Sequence, residues 1–418
     1  MEKLPEALVF EILNRLDDSA DVARCQLAWK TFNTVSPDLR SINLQWPLQS
    51  HIDSRSRVLK PSNISQYTSP FKTVFLNLVS NLRVVESVRI GANYLPVVEY
   101  QADDLYLTDD DFVKKWLPGV SGALKSLSIS NLLFQARWGR SNVLSLVSMY
   151  SHNLVELEVK NARLSVKDMN PMPMLTSLTL ESIRLEDKSL TKLNKCFPNL
   201  QVLNLKDIRG LKLPIIHHLN LKTCHWTISG APPPLTLITP NLTTLRFKCI
   251  KLAAIFNIEA PLLSDLHLSI NDHLGAFSIE TCTNLKTLWL ECSYICSLIV
   301  NFPHIETMEN LTLRSQDLHS AEVALNRVAW DGRKGLKTFR GYFWQLSNFS
   351  LMACVLDRCI NLVDVSLLFH RNVNARDLRD LIGTYMIQWP KVNWRFGIWE
   401  EGTEDSWITD GIPNAQII

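Results

Sequence analysis

The residues of this chain best suited to chemistry are cations and indoles that recur at one offset from short leucine doublets. Lys206, Lys222 and Lys248 each follow such a doublet, while Arg246 and Trp289 stand between the two apolar residues of theirs. If the doublets lie side by side as parallel strands, equivalent residues are ~4.8 Å apart and the lysines form a column that repels itself. Such a column favours an anion: acidic residues of a partner, a phosphate group, or glutamates elsewhere in the chain. Beside it, Arg340, Tyr342 and Trp344 in FRGYFWQL add the aromatic and cationic mixture found at protein interfaces. Lys206, Lys222, Arg246, Lys248 and Trp289 are therefore the expected residues for holding a target.

No comparable grouping points to catalysis. His217 and His218 are adjacent, which places them on opposite faces of a strand. Neither H-E-x-x-H nor G-x-S-x-G occurs. The segment DGRKGLKT (Asp331–Thr338) lacks the residue order of a phosphate-binding loop, and His267 reads as a surface histidine between inward leucines. Nine cysteines form no C-x-x-C pair, so no metal site is expected and reduced thiols fit the cytoplasm or nucleus.

The doublets need a scaffold, and a repeat supplies it. L-x-x-L-x-L, with apolar swaps, appears at Leu124/Leu127/Ile129, Leu154/Leu157/Val159, Leu175/Leu178/Leu180, Leu200/Leu203/Leu205, Ile216/Leu219/Leu221, Leu242/Leu245/Phe247, Leu263/Leu266/Leu268, Leu285/Leu288/Leu290, Met308/Leu311/Leu313 and Leu362/Val365/Leu367. Weaker copies stand at Val85/Val88/Ile90, Ala102/Leu105/Leu107 and Leu336/Phe339. Starting points are 16 to 30 residues apart, the interval of a leucine-rich repeat. One unit cannot bury its apolar face alone. Stacking many units gives an α/β solenoid, a leucine-rich-repeat horseshoe whose concave sheet is the binding surface. The position three after the second inward leucine is usually apolar (Leu132, Ala162, Ile183, Ile208, Cys224, Ile250), so a buried asparagine ladder should be weak. Trp389, Trp394, Trp399 and Trp407, with the acidic run Glu400, Glu401, Glu404 and Asp405, are expected to cap the last repeat ahead of a disordered tail.

The 418 residues carry a net charge of +2, with 20% charged residues, so no bulk field draws nucleic acid or a membrane surface. No apolar run approaches the ~18 residues of a spanning helix, and no secretory leader follows Met1. The sequons at Asn63, Asn241, Asn310 and Asn348 would matter only in a secretory setting.

The N-terminal segment has an apolar face too large for its length. Pro5 fits a first helical turn, and Leu8, Ile12, Leu13 and Leu16 recur at helical spacing. Ser19 is placed to cap a second helix, and Trp29, Phe32 and Val35 mark a third before Pro37. The segment resembles an F-box, with Leu4, Pro5, Leu8, Ile12, Leu13, Leu16, Asp21, Cys25, Leu27, Lys30 and Phe32 on the pattern's positions. It departs from that pattern at Asp17-Asp18, where a second proline is common, and at Phe32, where tryptophan is usual.

With the repeats, the chain is similar to plant F-box/leucine-rich-repeat proteins. The resemblance implies a short three-helix F-box at 1–45, a linker and cap helix at 46–82, repeats at 83–370, and a C-terminal cap and tail at 371–418. It further implies the substrate-recognition subunit of a Skp–cullin–F-box ubiquitin ligase, itself without catalytic residues. Leu4, Pro5, Leu8, Ile12, Leu13 and Leu16 would meet the Skp adaptor or support that contact. Lys206, Lys222, Arg246, Lys248 and Trp289 would bind the substrate protein. No cofactor is required, although an inositol phosphate in the basic concavity is conceivable. The alternatives are a binding scaffold without ligase coupling and a small-ligand sensor.

Overall fold

Alternating buried and exposed side chains over five to seven residues favour a strand, and the chain folds as a series of them. The computed structural model describes residues 4–47, 70–93, 105–131, 139–229, 234–250, 255–270, 276–279, 281–292, 308–315, 335–345 and 350–408. They form two units, Met1–Leu211 and Lys212–Ile418, each a parallel α/β solenoid.

The first unit opens with helices α1 (Glu6–Asn14), α2 (Ser19–Ala28) and α3 (Lys30–Val35), and a 3-10 turn at Ser36–Asp38. Val9, Leu13, Val22, Val35 and Leu39 make their small core, with Trp29 and Phe32 meeting edge to face at 5.1 Å. The α2 cap differs from expectation. Asp18 is the capping residue, its carboxylate accepting from the Ala20 amide, while the Ser19 hydroxyl accepts from the Asn43 amide at 2.9 Å.

Six strands follow in parallel, each paired with the next: β1 (Ser41–Pro47), β2 (Ser87–Asn93), β3 (Ser126–Ser130), β4 (Glu156–Lys160), β5 (Ser177–Glu181) and β6 (Val202–Lys206). Helices α4 (Pro70–Asn81), α5 (Asp110–Val120), α6 (Val143–Tyr150) and α7 (Asp187–Cys196) occupy return segments. Phe75 of α4 meets Phe112 and Trp116 of α5 at 5.7 and 5.2 Å.

Two expectations change here. The sheet begins before the supposed linker, because Leu39/Ile42/Leu44 is itself a repeat and β1 pairs with β2 over seven residues, across the boundary expected at 45. The body of that linker, residues 48–69, lies outside the described residues. Leu105 and Leu107 are buried but lie in no strand, since β2 pairs directly with β3. Ala102 of that copy lies outside the described residues.

In the second unit, β8 (Thr223–Ile228), β10 (Thr244–Cys249), β12 (Asp265–Ile270), β14 (Thr287–Cys292), β15 (Asn310–Arg314), β16 (Thr338–Phe343), β17 (Asp364–His370) and β18 (Asn393–Trp399) pair in parallel in that order. The strand β19 (Ser406–Ile408) returns antiparallel on β18. Helices α8 (Ser350–Arg358) and α9 (Ala375–Gln388) precede β17 and β18. The repeat thus continues beyond the expected limit at 370. A second parallel sheet, β7 (Ile215–His217), β9 (Leu235–Ile238), β11 (Ile255–Glu259) and β13 (Ala276–Ser278), provides the return path between successive coils.

The repeat placed at Ile216/Leu219/Leu221 is out of register. Ile216 belongs to β7 and Leu219 is exposed, whereas Leu221, Cys224 and Trp226 are buried and β8 carries the inward pair. With Leu221 as the start, the intervals from Leu200 and to Leu242 are both 21 residues.

An asparagine ladder does exist, but at the approach to the strands. The Nδ2 groups of Asn153, Asn199, Asn241 and Asn284 donate to the carbonyls of Gly122, Pro173, Leu219 and Pro261 in the preceding coils at 2.7–2.9 Å. These bonds satisfy turn carbonyls that the strand ladder cannot reach.

Candidate functional site

The open face of the second unit carries every other strand residue, and its register brings several expected residues together. Arg246 pairs across to His267, His267 to Trp289, Trp289 to Thr312, and Thr312 to Arg340. The neighbouring row runs Lys248, Ser269, Glu291, Arg314, Tyr342 and Leu368. Arg246, Lys248 and Trp289 therefore share one surface within three adjoining strands.

Lys222 does not join them. Lys222 precedes β8, where its carbonyl accepts from the Thr243 and Thr244 amides, and Thr227 holds the place beside Lys248. The error follows from Cys224 and Trp226 replacing the leucines of the inward pair. Lys206 lies in the first unit, where its ammonium meets Glu181 at 2.5 Å. Glu181 also meets Lys160 at 3.2 Å, and Lys160 meets Glu158 at 3.0 Å. Burial would raise the Glu181 pKa, but the bonds and charges of Lys206 and Lys160 outweigh it and hold the carboxyl below its usual range. The anion favoured by this part of the column comes from the same sheet.

The centre of the open face is aromatic. Tyr342, Leu368 and Trp399 form a buried cluster with Trp289 and Trp344 against it. His267 stacks on Trp289 at 4.8 Å, Trp344 stacks on His370 at 4.4 Å, and Trp399 meets Trp344 edge to face at 4.7 Å. The expected surface histidine is thus partly buried. Desolvation first, then the cations Arg246, Lys248 and His225, push the His267 pKa down to about 4 against the pull of Glu291. Its ring is neutral at pH 7.

Two arginines lie over these rings. Arg314 is 4.4 Å from the Trp399 ring and 3.4 Å from Glu291. Arg340 is 4.9 Å from the Trp407 ring and binds Asp405 at 2.7 Å. The Tyr342 hydroxyl donates to the same carboxylate at 2.8 Å, and burial together with this bond raises its pKa. Asp405, expected in a terminal cap, thus reaches the centre of the open face, and Trp399 is part of the site. Periodicity could have found Trp399, because Trp394 and Phe396 repeat the inward doublet in aromatic form.

Three buried donors in this cluster have no acceptor among the described residues: Nε1 of Trp289, Nε1 of Trp399 and Nε of Arg340. Unmet donors in a low-dielectric setting favour an acceptor-rich or anionic group. The surface is suited to binding, and among the described residues no group of His, Cys, Asp and Glu could hold a metal ion. Cys25, Cys196, Cys224, Cys249 and Cys282 are free thiols, and burial raises Cys224 to about 12.

A second candidate surface lies on the N-terminal helices. Leu13 is 1% exposed, and the partly buried Leu16 packs against the same small core, so both support the helices from within. The opposite side shows Leu4, Leu8 at 50% and Ile12 at 44%, with Pro5 exposed at the helix start. On α2, Leu27 is 91% exposed, a residue whose place in the F-box pattern gave no hint of its orientation. Among the described residues no helix is long and apolar enough to cross a membrane.

No family model matches the chain. It is 36% identical over 456 aligned positions to F-box/LRR-repeat protein At4g29420 of Arabidopsis thaliana, an alignment that covers 98% of this chain and all of that relative. With a parallel repeat sheet in each unit and near-complete coverage of this relative, the chain belongs to the plant F-box/leucine-rich-repeat proteins.

Proposed function

We propose that the chain is a non-catalytic substrate receptor of a Skp–cullin–F-box ubiquitin ligase. The N-terminal helices dock the Skp adaptor and the open face of the repeats holds a target protein. The observation that carries this reading is the exposed Leu4, Leu8, Ile12 and Leu27 on a helical head whose own core is already complete with Val9, Leu13 and Val22. An aliphatic patch that contributes nothing to its own core is stabilised by a partner. Tethering then raises the local concentration of target lysines near the charged conjugating enzyme. Under this reading the protein works in the cytoplasm or nucleus.

Capture of a plant Skp adaptor by the full chain tests the first half. Leu8→Ala combined with Ile12→Ala should weaken capture at least about tenfold, since each buried leucine or isoleucine contributes ~1.5–3 kcal/mol. Circular dichroism should stay unchanged because both residues point outward. Full capture by the double variant would refute the reading. The unmet donors on the open face, which also carries Arg246 and Lys248, support a second reading in which an inositol phosphate bridges repeats and target. That reading requires a ligand-dependent rise in melting temperature.

A further inference from the structure

A threefold motif in the first unit belongs to neither of these surfaces. After β4, β5 and β6 the chain reads Asn161-Ala162-Arg163, Ser182-Ile183-Arg184 and Asp207-Ile208-Arg209. The first residue of each triplet has positive φ, between 52° and 56°, which turns the chain sharply out of the sheet. The second is buried, at 0%, 0% and 8% exposure. The third therefore points outward. Parallel bridges join Arg163 to Arg184 and Arg184 to Arg209, and the Arg184 and Arg209 amides donate to the Ala162 and Ile183 carbonyls at 3.1 and 2.9 Å.

Backbone bonding thus sets the three arginines in register, with Cα atoms ~4.8 Å apart. Among the described residues none of the three makes an ion pair. The neighbouring Glu186 is held by Arg140 at 3.1 Å. Lys160 and Lys206 of the same unit contrast with this, because Glu181 and Glu158 alternate with those cations.

We propose that Arg163, Arg184 and Arg209 form a docking stripe for an acidic helix of a partner protein. Charge selects carboxylates and spacing selects the helix. Residues at i, i+4 and i+7 of a helix advance ~5–6 Å per step, so three carboxylates span ~11 Å. The stripe spans ~9.6 Å by strand spacing, and arginine side chains cover the difference. An extended acidic segment presents same-face residues every ~6.7 Å and spans ~13 Å, a poorer match to the stripe than the helix. The stripe does not depend on ligase coupling.

The test is titration of the full chain with a labelled, covalently stapled helical peptide bearing Glu at i, i+4 and i+7, read by fluorescence anisotropy. A peptide of the same composition with its glutamates spread around the helix is the spacing control, and inorganic tripolyphosphate is the competing anion. The aligned peptide should bind in a salt-sensitive manner. Arg163→Gln, Arg184→Gln and Arg209→Gln together should weaken it at least about tenfold with an unchanged melting temperature, while Arg246→Gln with Lys248→Gln should have no effect. Replacing the three arginines by Glu should transfer binding to a lysine version of the peptide. Equal binding of the scrambled peptide, unchanged affinity in the triple Gln variant, or binding of tripolyphosphate without the peptide would overturn the proposal.

Discussion

At the residue scale, His267 shows how a position legible as a type was misjudged as an environment. Alternation with Leu266 and Leu268 placed it correctly on the open face. Its stacking partner Trp289 comes from the next strand, and only the register reveals that contact. The consequence is a pH dependence with a definite sign. The folded-state pKa, near 4, lies below the unfolded value of 6.5, so between those limits the unfolded chain binds a proton that the folded chain does not. Stability contributed by neutral His267 is complete above pH 6.5, declines as pH falls, and levels off below about 4. The lost contribution is on the order of 3 kcal/mol. His267→Gln should flatten the acid limb of stability measured by urea unfolding between pH 7 and 4. An unchanged slope would show that His267 does not titrate as placed here.

At the element scale, the leucine spacing disclosed most coils because their inward pairs are aliphatic. It missed β8 and β18, whose inward residues are Cys224 and Trp226 in one and Trp394 and Phe396 in the other. The physical requirement is apolar volume at alternate positions, and leucine is only its commonest expression. Trp226 is 1% exposed and meets Phe247 of β10 at 6.4 Å, while Phe247 meets Phe256 of β11 at 4.6 Å. This aromatic chain links the two sheets of the second unit. Trp226→Ala should therefore cost about 3–5 kcal/mol, whereas Leu219→Ala should be nearly neutral because Leu219 lies exposed in a turn. Denaturant unfolding of the two variants distinguishes this register from the one suggested by leucines alone. A larger loss from Leu219→Ala would reverse it.

At the scale of the whole molecule, sequence periodicity began the repeats too late, at 83, when the sheet already starts with β1. The head and the first coil are one construction: Leu39 and Leu82 meet the helical core, the Arg83 amide donates to the Pro37 carbonyl at 3.0 Å, and Arg83 pairs with Asp38 at 2.6 Å. The polar stretch after Pro47 drew the boundary in the sequence, because polarity marks a break in hydrophobic patterning whether or not a strand has already begun. Removing residues 1–45 consequently does more than remove an adaptor surface. It deletes Ile42 and Leu44 from β1, each almost fully buried, and uncovers the hydrogen-bonding edge of β2. An unpaired parallel edge promotes association between copies. The chain 46–418 should elute as oligomers and melt earlier than the full chain. Leu8→Ala with Ile12→Ala should remain monomeric at the full-chain melting temperature. Size-exclusion chromatography and scanning calorimetry of the three proteins decide the matter. A monomeric 46–418 chain of undiminished stability would mean that β1 is dispensable to the first unit. If truncation behaves as expected, loss of Skp capture on deleting 1–45 is ambiguous, and the surface substitutions on α1 carry the functional test.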